Sequence, residues 1–492
     1  MIVHPDSRDS ASASALFFGL LLLIAWLPIP LGSNRAWSAG LMHAAAMVLV
    51  GTWCLRFAAY GTGVTPALRK GKSALALLAL WLAYIAFQAV PLPPALLAAL
   101  SPRAFEHYSF AADAGTAPLS SLSLDPGSTL AILQKCMAYV ALFFLTLVLL
   151  TSRRRIGLML TALTLVGTAE AFYGIMTYLG RGNLVLWYPG IAGNSVSGTY
   201  VNRNHFAGLM EVTVAAAIGL LIARSTMHYG RGWTEALRNG IDFLLKDTAW
   251  VSFCLLVMCT ALILSTSRGG VAALVFSIGF AAALAVFFRR GRAAESRVPL
   301  KVGVLAIVGV SWLGAGGIVE KLENVGFVNN RGDIREAIYA MVGDFWLTGS
   351  GSGTFQWAFP AYKTEALGAG YYEHAHNDFL ELLSEQGAIG FVLVGGAICI
   401  ILFKIVRGFL RRRDPLMRGA LFFSLCGATS LLVHGMVDFN LQIPANAALF
   451  FVLLGVGVVA ADLNRGGRTR GREYGKPTAA DCPKRQSLEP AA

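Results

Sequence analysis

Apolar runs of about 17–25 residues recur along almost the whole chain, and that is the length a helix needs to cross a hydrocarbon core. Twelve are legible, at roughly residues 15–33, 37–58, 73–92, 129–151, 156–179, 204–224, 248–266, 269–288, 301–319, 386–406, 417–440 and 443–462. Lipid offers no partner to an unpaired backbone group, so such runs must satisfy their hydrogen bonds internally as helices or close into a barrel. A barrel calls for strands of about ten residues with alternating polarity, and that alternation is missing. Charged residues make up 14% of the chain, against roughly 25% in an ordinary soluble domain. The sequence therefore predicts an all-α polytopic membrane protein of about 12 transmembrane helices, with a large outside loop between helices 9 and 10.

Positive charge sets the expected orientation. With both termini cytoplasmic, thirty of the 40 Lys and Arg fall inside, including Arg69, Lys70 and Lys72, the run Arg153, Arg154 and Arg155, and the run Arg411, Arg412 and Arg413. Cytoplasmic loops carry this bias. Topology and anionic lipid thus account for the net charge of +13, and no nucleic-acid partner is called for. Residues 1–15 lack a basic n-region, so residues 16–32 read as a retained first helix rather than a cleaved signal. On this topology none of the seven cysteines lies outside, so neither a disulfide framework nor a thiolate metal site is expected. The expected organisation is a cytoplasmic N-terminus at 1–15, N-terminal transmembrane helices at 16–190 with an outside segment at 93–128, a transmembrane core at 191–462 with an outside loop at 320–385, and a basic, disordered tail at 463–492.

The stretch EHAHNDFLELLSEQGAIG, from Glu373 to Gly390, puts histidines, carboxylates and an amide at the mouth of an apolar helix. Ionisable groups beside a span are costly to keep without a use. His376 lies just before the helix, where its ring reaches solvent and can take a proton from a hydroxyl. Capping by Asn377 or Asp378, with Glu381 in the first turn, explains part of the motif but not two histidines. Metal binding through His374, His376 and Asp378 is a weaker alternative, because an HxH alone is a poor metal signal.

Outward arginines run against the inside bias. Arg203 in TYVNRNHFAG, Arg268 in STSRGG, and Arg331 and Arg335 in VNNRGDIR lie close to span ends. Singly, each reads as snorkelling or a surface ion pair. Several at one membrane face suggest an anion site, since the guanidinium fork suits phosphate. His205 stands beside Arg203, while His434 and Asp438 are four apart on the eleventh helix, near its outer end, and so share a face. Glu170 and Glu211 are intramembrane carboxylates that should face the bundle interior. In the outside loop, REAIYAMVGDFWL is a helical pattern ending at Gly349-Ser350-Gly351-Ser352-Gly353, which reads as a tight turn.

These motifs resemble the O-antigen ligase and O-antigen polymerase superfamily of bacterial surface polysaccharide assembly. Its ligases carry His followed by Asn, Ser or Gln, nine residues, then Gly-x-x-Gly, Thr or Tyr. His376-Asn377, nine residues from Asp378 to Gln386, and Gly387-Ala388-Ile389-Gly390 fit that pattern. STSRGG looks like the superfamily's arginine loop, and RGDIREAIYAMVGDFWLTGSGSGTF resembles its segment leading into the long periplasmic loop. The likeness covers about residues 195–440.

The resemblance implies a GT-C-like fold in the bacterial inner membrane with its site on the periplasmic face. It implies a metal-independent, inverting glycosyltransferase with no cofactor. The donor would be a glycan on undecaprenyl pyrophosphate, and the acceptor a glycan or lipid A-core. Other polysaccharide-assembly proteins are further partners it admits. The catalytic histidine carries over to His376, and the donor-binding arginines to Arg268 and Arg331. An aromatic often stands four residues after the second arginine, but here Arg335 does, so either register is open. His374, Asn377, Asp378, His205, His434 and Asp438 are expected in support and Arg203 beside the donor. A lipid-linked oligosaccharide flippase or a non-enzymatic assembly scaffold would share the spans, but neither explains histidines and arginines gathered at one outer surface.

Overall fold

The computed structural model describes residues 7–61, 64–113, 115, 120–180, 184–186, 188–189, 195–224, 248–288, 325–368 and 370–463, apart from the side chains of 7–11, 184, 188–189, 325–333 and 366. It is helical except for a two-residue antiparallel pair, Leu184–Val185 with Tyr188–Pro189. In chain order the principal helices are α1 (Ser7–Trp26), α2 (Ala36–Tyr60), α3 (Pro66–Gln88), α4 (Pro94–Leu100), α5 (Pro102–Asp113), α6 (Pro126–Leu149), α7 (Arg153–Leu179), α8 (Arg203–Arg224), α9 (Ala249–Leu264), α10 (Arg268–Phe288), α11 (Val325–Asp344), α12 (Asp378–Arg411), α13 (Pro415–His434) and α14 (Pro444–Asp462).

Among the described residues, nine of these helices are long and apolar enough to span a membrane, and shorter apolar helices cover Ser12–Trp26 and Ala249–Leu264. The expected span 301–319 and the tail 463–492 lie outside the described residues, save Leu463. The first helix differs from expectation. It begins at Ser7 rather than near residue 15, and it stops at Trp26 because Pro28 and Pro30 cannot donate to a continuing ladder.

Local chemistry sets several helix starts. Thr65, Asp125 and Asp414 each precede a proline at the first helical position, and their side chains accept from Leu68 N (3.0 Å), Gly127 N (3.0 Å) and Met417 N (3.2 Å). Side-chain capping plus a proline that loses no needed donor is a strong start signal. Within the bundle, α14 is enclosed, with 94% of its apolar window buried, whereas α2 and α10 bury 28% and offer the rest to lipid. A helix apolar on every side belongs in the middle.

The segments 93–128 and 320–385, expected outside the membrane, share one small core among their described residues. Leu97, Tyr108 and Leu122 from the first pack with Ile338, Met341, Phe345 and Phe359 from the second. The helical pattern REAIYAMVGDFWL turns Ile338, Met341 and Phe345 into this core. This cap sits on one end of the bundle, where α12 is broken.

Helix α12 consists of two conformational pieces, residues 378–386 and 388–411, separated by Gly387 at φ 60°, ψ −169°. That region of backbone space belongs to glycine. The break frees carbonyls and amides, and the GSGSG turn supplies their partners. Ser350 N donates to Ser384 O and Gly351 N to Glu385 O, both at 2.9 Å, while Ala388 N donates to Trp346 O at 2.7 Å.

Candidate functional site

The cluster around His376 forms where the short first piece of α12 meets the turn between α13 and α14. Asn377 is the helix cap. Its Oδ1 accepts from Phe379 N and Leu380 N at 3.0 Å each, and its Nδ2 donates to Met436 O at 2.8 Å. Asp378 is not a cap: it is buried, accepts from Leu441 N at 3.0 and 3.2 Å, and donates its own amide to Gly435 O at 2.8 Å. The chain on either side of this junction is thus tied to residues 435–441.

His374 and Glu381 form the inner support. His374 Nδ1 lies 2.7 Å from Glu381 Oε1, and Ala375 N donates to Glu381 Oε2 at 2.8 Å. Burial works against protonation of His374, but the charge and hydrogen bond of Glu381 outweigh it and raise the imidazole above its ordinary range.

His376 itself is exposed, with 61% of its side chain open to solvent, and holds a left-handed backbone at φ 49°. Its Nδ1 is 3.7 Å from Asp438 Oδ1, and the same oxygen lies 3.8 Å from His205 Nε2. These are charge contacts rather than hydrogen bonds. Asp438 also accepts from Asn204 Nδ2 at 2.5 Å and Phe439 N at 2.9 Å. Burial alone would raise its carboxyl, but His205 and His376 hold it well below the usual carboxylate range. His205 Nε2 is buried without a hydrogen-bond partner among the described residues. Phe439 sits among the three histidines, its centroid 4.5 Å from His205, 4.4 Å from His374 and 4.8 Å from His376.

The arginine loop lies at the same end. Arg203, the first residue of α8, donates to Thr266 Oγ1 at 2.7 Å, and Thr266 is two residues before Arg268, the exposed first residue of α10. Thr266 has φ 56°, an unusual value for a β-branched residue. The glycines after Arg268 let α10 press on its neighbours. A Cβ at Gly270 would lie 2.7 Å from Ala207 Cβ and 3.0 Å from Glu211 Oε1, and one at Gly269 would lie 3.1 Å from the His434 ring.

One expectation is corrected. His434 and Asp438 do not share a helical face, because α13 ends at His434 and Gly435 caps it, leaving Asp438 in the following turn. His434 Nδ1 pairs with the buried Glu211 Oε1 at 2.6 Å, and Ser430 Oγ donates to Glu211 Oε2 at 2.6 Å. That pair stands behind the glycines of the arginine loop. Glu170 also faces inward and accepts from Thr199 N at 3.0 Å. Arg335 is exposed on α11, and the side chain of Arg331 lies outside the described residues. No group of three or more His, Cys, Asp or Glu among the described residues is arranged to hold a metal.

A groove of about 530 Å³ runs from Asp378 into the apolar bundle between α3, α6, α12 and α14. Trp81, Leu382, Phe391 and Phe451 wall it, while Lys135, Glu385 and Gln442 lie at its polar end. Phe439, Asn204 and Glu381 as partner of His374 were not predicted as site residues. The aromatic had no sequence signal beyond following Asp438.

Residues 253–395 match the family model Wzy_C, described as O-antigen ligase. No match among curated proteins accompanies it. The matched segment contains the arginine loop, the glycine turn, His376 and Gly387. Through that segment, and with nine helices among the described residues long and apolar enough to span a membrane, the chain is similar to the O-antigen ligase family.

Proposed function

We propose that the chain is a metal-independent, inverting glycosyltransferase that moves a glycan from undecaprenyl pyrophosphate to a sugar hydroxyl at the periplasmic face of the inner membrane, with both termini cytoplasmic and twelve spans in all. The observation that carries this reading is the setting of His376: an exposed, left-handed histidine, tied down through Asn377 and Asp378, with Nδ1 toward Asp438. That arrangement leaves Nε2 to meet an incoming hydroxyl, with the Asp438 carboxylate on the other side of the ring.

In the reaction the acceptor oxygen attacks the anomeric carbon as the bond to the pyrophosphate oxygen breaks, and His376 takes the hydroxyl proton. The leaving pyrophosphate carries the growing negative charge. Arg268 and Arg203, at neighbouring starts of α10 and α8, supply guanidinium donors for it. Arg331 and Arg335 are further candidates on α11. The apolar groove beside Asp378 suits a polyprenyl or acyl tail, and holding both reactants at one interface lowers the entropic cost of their meeting.

The test is transfer by purified protein supplied with undecaprenyl-pyrophosphate-linked repeat units, with and without lipid A-core, in the presence of EDTA. A ladder without added acceptor identifies a polymerase, and product only with lipid A-core a ligase. His376→Ala should abolish release of undecaprenyl pyrophosphate while still inserting in the membrane. Transfer at the wild-type rate by that variant removes His376 from its role, and no release by the wild-type protein in any condition points instead to transport.

A further inference from the structure

The end of the bundle opposite His376 holds a cleft of about 520 Å³ that glycan transfer does not use. It lies between the start of α3 and the ends of α12 and α14, roughly 40 Å from Asp378 along α12. From α3 come Arg69, Lys70 and Lys72, and from α12 and its C-cap come Lys404, Arg407, Arg411 and Arg412, while Asp462 of α14 is the one carboxylate on its wall among the described residues. Like charges converging on a hollow repel one another unless an anion sits among them.

Some of these cations build the cleft. Lys70 Nζ meets Asp462 Oδ1 at 2.6 Å, Arg412 donates to Ala461 O at 2.6 and 2.9 Å, and Lys404 donates to the Lys70 carbonyl. Those bonds lash the three helix ends together. The side chains of Arg69, Lys72, Arg407 and Arg411 have no hydrogen bond or ion pair among the described residues. Arg407 and Arg411 are four apart on one helix face, a spacing at which like charges destabilise the helix. Beside them Phe403 is 67% exposed, an apolar surface at the depth where acyl chains begin.

We propose that this cleft binds the phosphate headgroup of an anionic phospholipid. Basic pockets between transmembrane helices recognise such headgroups, and several hundred Å³ is of ligand-site size. Phosphate is the shared chemistry, and the apolar flank favours a lipid over a free ion. On the orientation proposed above the lipid belongs to the cytoplasmic leaflet, but the binding itself does not rest on that orientation or on the role of His376.

The experiment is native mass spectrometry of the delipidated full-length protein titrated with phosphatidylglycerol, phosphatidylcholine or inorganic phosphate. Wild type should retain phosphatidylglycerol in preference to phosphatidylcholine. Arg407→Gln/Arg411→Gln should weaken that binding by roughly thirty-fold, about fivefold for each charge. Arg413→Gln, adjacent but outside the cleft, should bind as wild type, and elution volume and melting check that each variant is folded. Equal retention of both lipids, or undiminished phosphatidylglycerol binding by the double variant, overturns the proposal. Competition by millimolar inorganic phosphate alone, with no lipid preference, overturns the lipid in favour of a soluble anion.

Discussion

Gln88, the fully buried last residue of α3, fastens the break in α12 to the glycine turn. Its Nε2 donates to Thr348 O at 2.8 Å and Glu385 O at 2.9 Å, and its Oε1 accepts from Ser352 N at 3.2 Å and Ser352 Oγ at 2.8 Å. Gln88→Met keeps nearly the same volume and removes all four bonds. The losses are unequal. Thr348 O still receives the Tyr84 hydroxyl and Glu385 O still receives Gly351 N, but the buried Ser352 N–H and hydroxyl lose their acceptor. An orphaned buried donor costs about 1–3 kcal/mol, and the hydroxyl can rotate to another partner, so about 3 kcal/mol is expected in total. At about 1.4 kcal/mol for each factor of ten, the Ser350, Gly351 and Ala388 amides should exchange hydrogen on the order of a hundredfold faster. Hydrogen-exchange mass spectrometry in detergent reads this directly, with mid-α7 peptides as the unaffected reference. Exchange at the turn within about threefold of wild type would refute the assignment of Gln88 as the fastener.

Gly387→Ala should cost several kcal/mol, from about 1–3 for a backbone region closed to L-residues plus a Cβ driven onto the Leu347 carbonyl and 2.6 Å from Gly349 N; a variant that melts with wild type would show that the break does not need glycine. Asp438→Asn should lower kcat on the order of a hundredfold with less change in the KM for donor, if Asp438 positions His376; an unchanged kcat would detach it from the site. The raised pKa of His374 gives a signed pH effect: its pairing with Glu381 stabilises the fold fully below about pH 6.5, and that stability is lost as pH rises through the folded value. Glu381→Gln should flatten this part of the melting profile above about pH 6.5, and an equally steep profile in that variant would refute the pairing.

Nine of the spans and the His376 motif were legible because each is written in consecutive residues: twenty apolar positions, or His-Asn, nine residues, then a glycine. What the sequence left unread is long-range. Nothing local says that Asp438 leaves its helix at Gly435 to face His376 and His205, that Glu211 pairs with His434, or that Gln88 reaches a turn at residues 348–352. The glycine turn was recognisable as a turn, but its task of completing the broken ladder of α12 needed both strands of chain in view. Equally, nothing local says that the segments 93–128 and 320–385 pack against each other around one small core.

The division of labour within the motif bears on function. Asn377 supplies the cap, Asp378 holds Leu441, and Glu381 holds both His374 and the Ala375 amide. Every structural need of the junction is met by a residue other than His376. Yet His376 occupies a left-handed conformation that costs a non-glycine residue about 1–3 kcal/mol, at a position where glycine or asparagine would adopt the same backbone at less cost. A residue kept for the fold would relieve that strain. An imidazole there, mostly exposed and with Nδ1 3.7 Å from Asp438, fits the proton-accepting role proposed above. The strain also explains why the tethers to residues 435–441 are so many: they oppose the local preference of the backbone and fix the ring relative to α13 and α14 rather than to the cap above it.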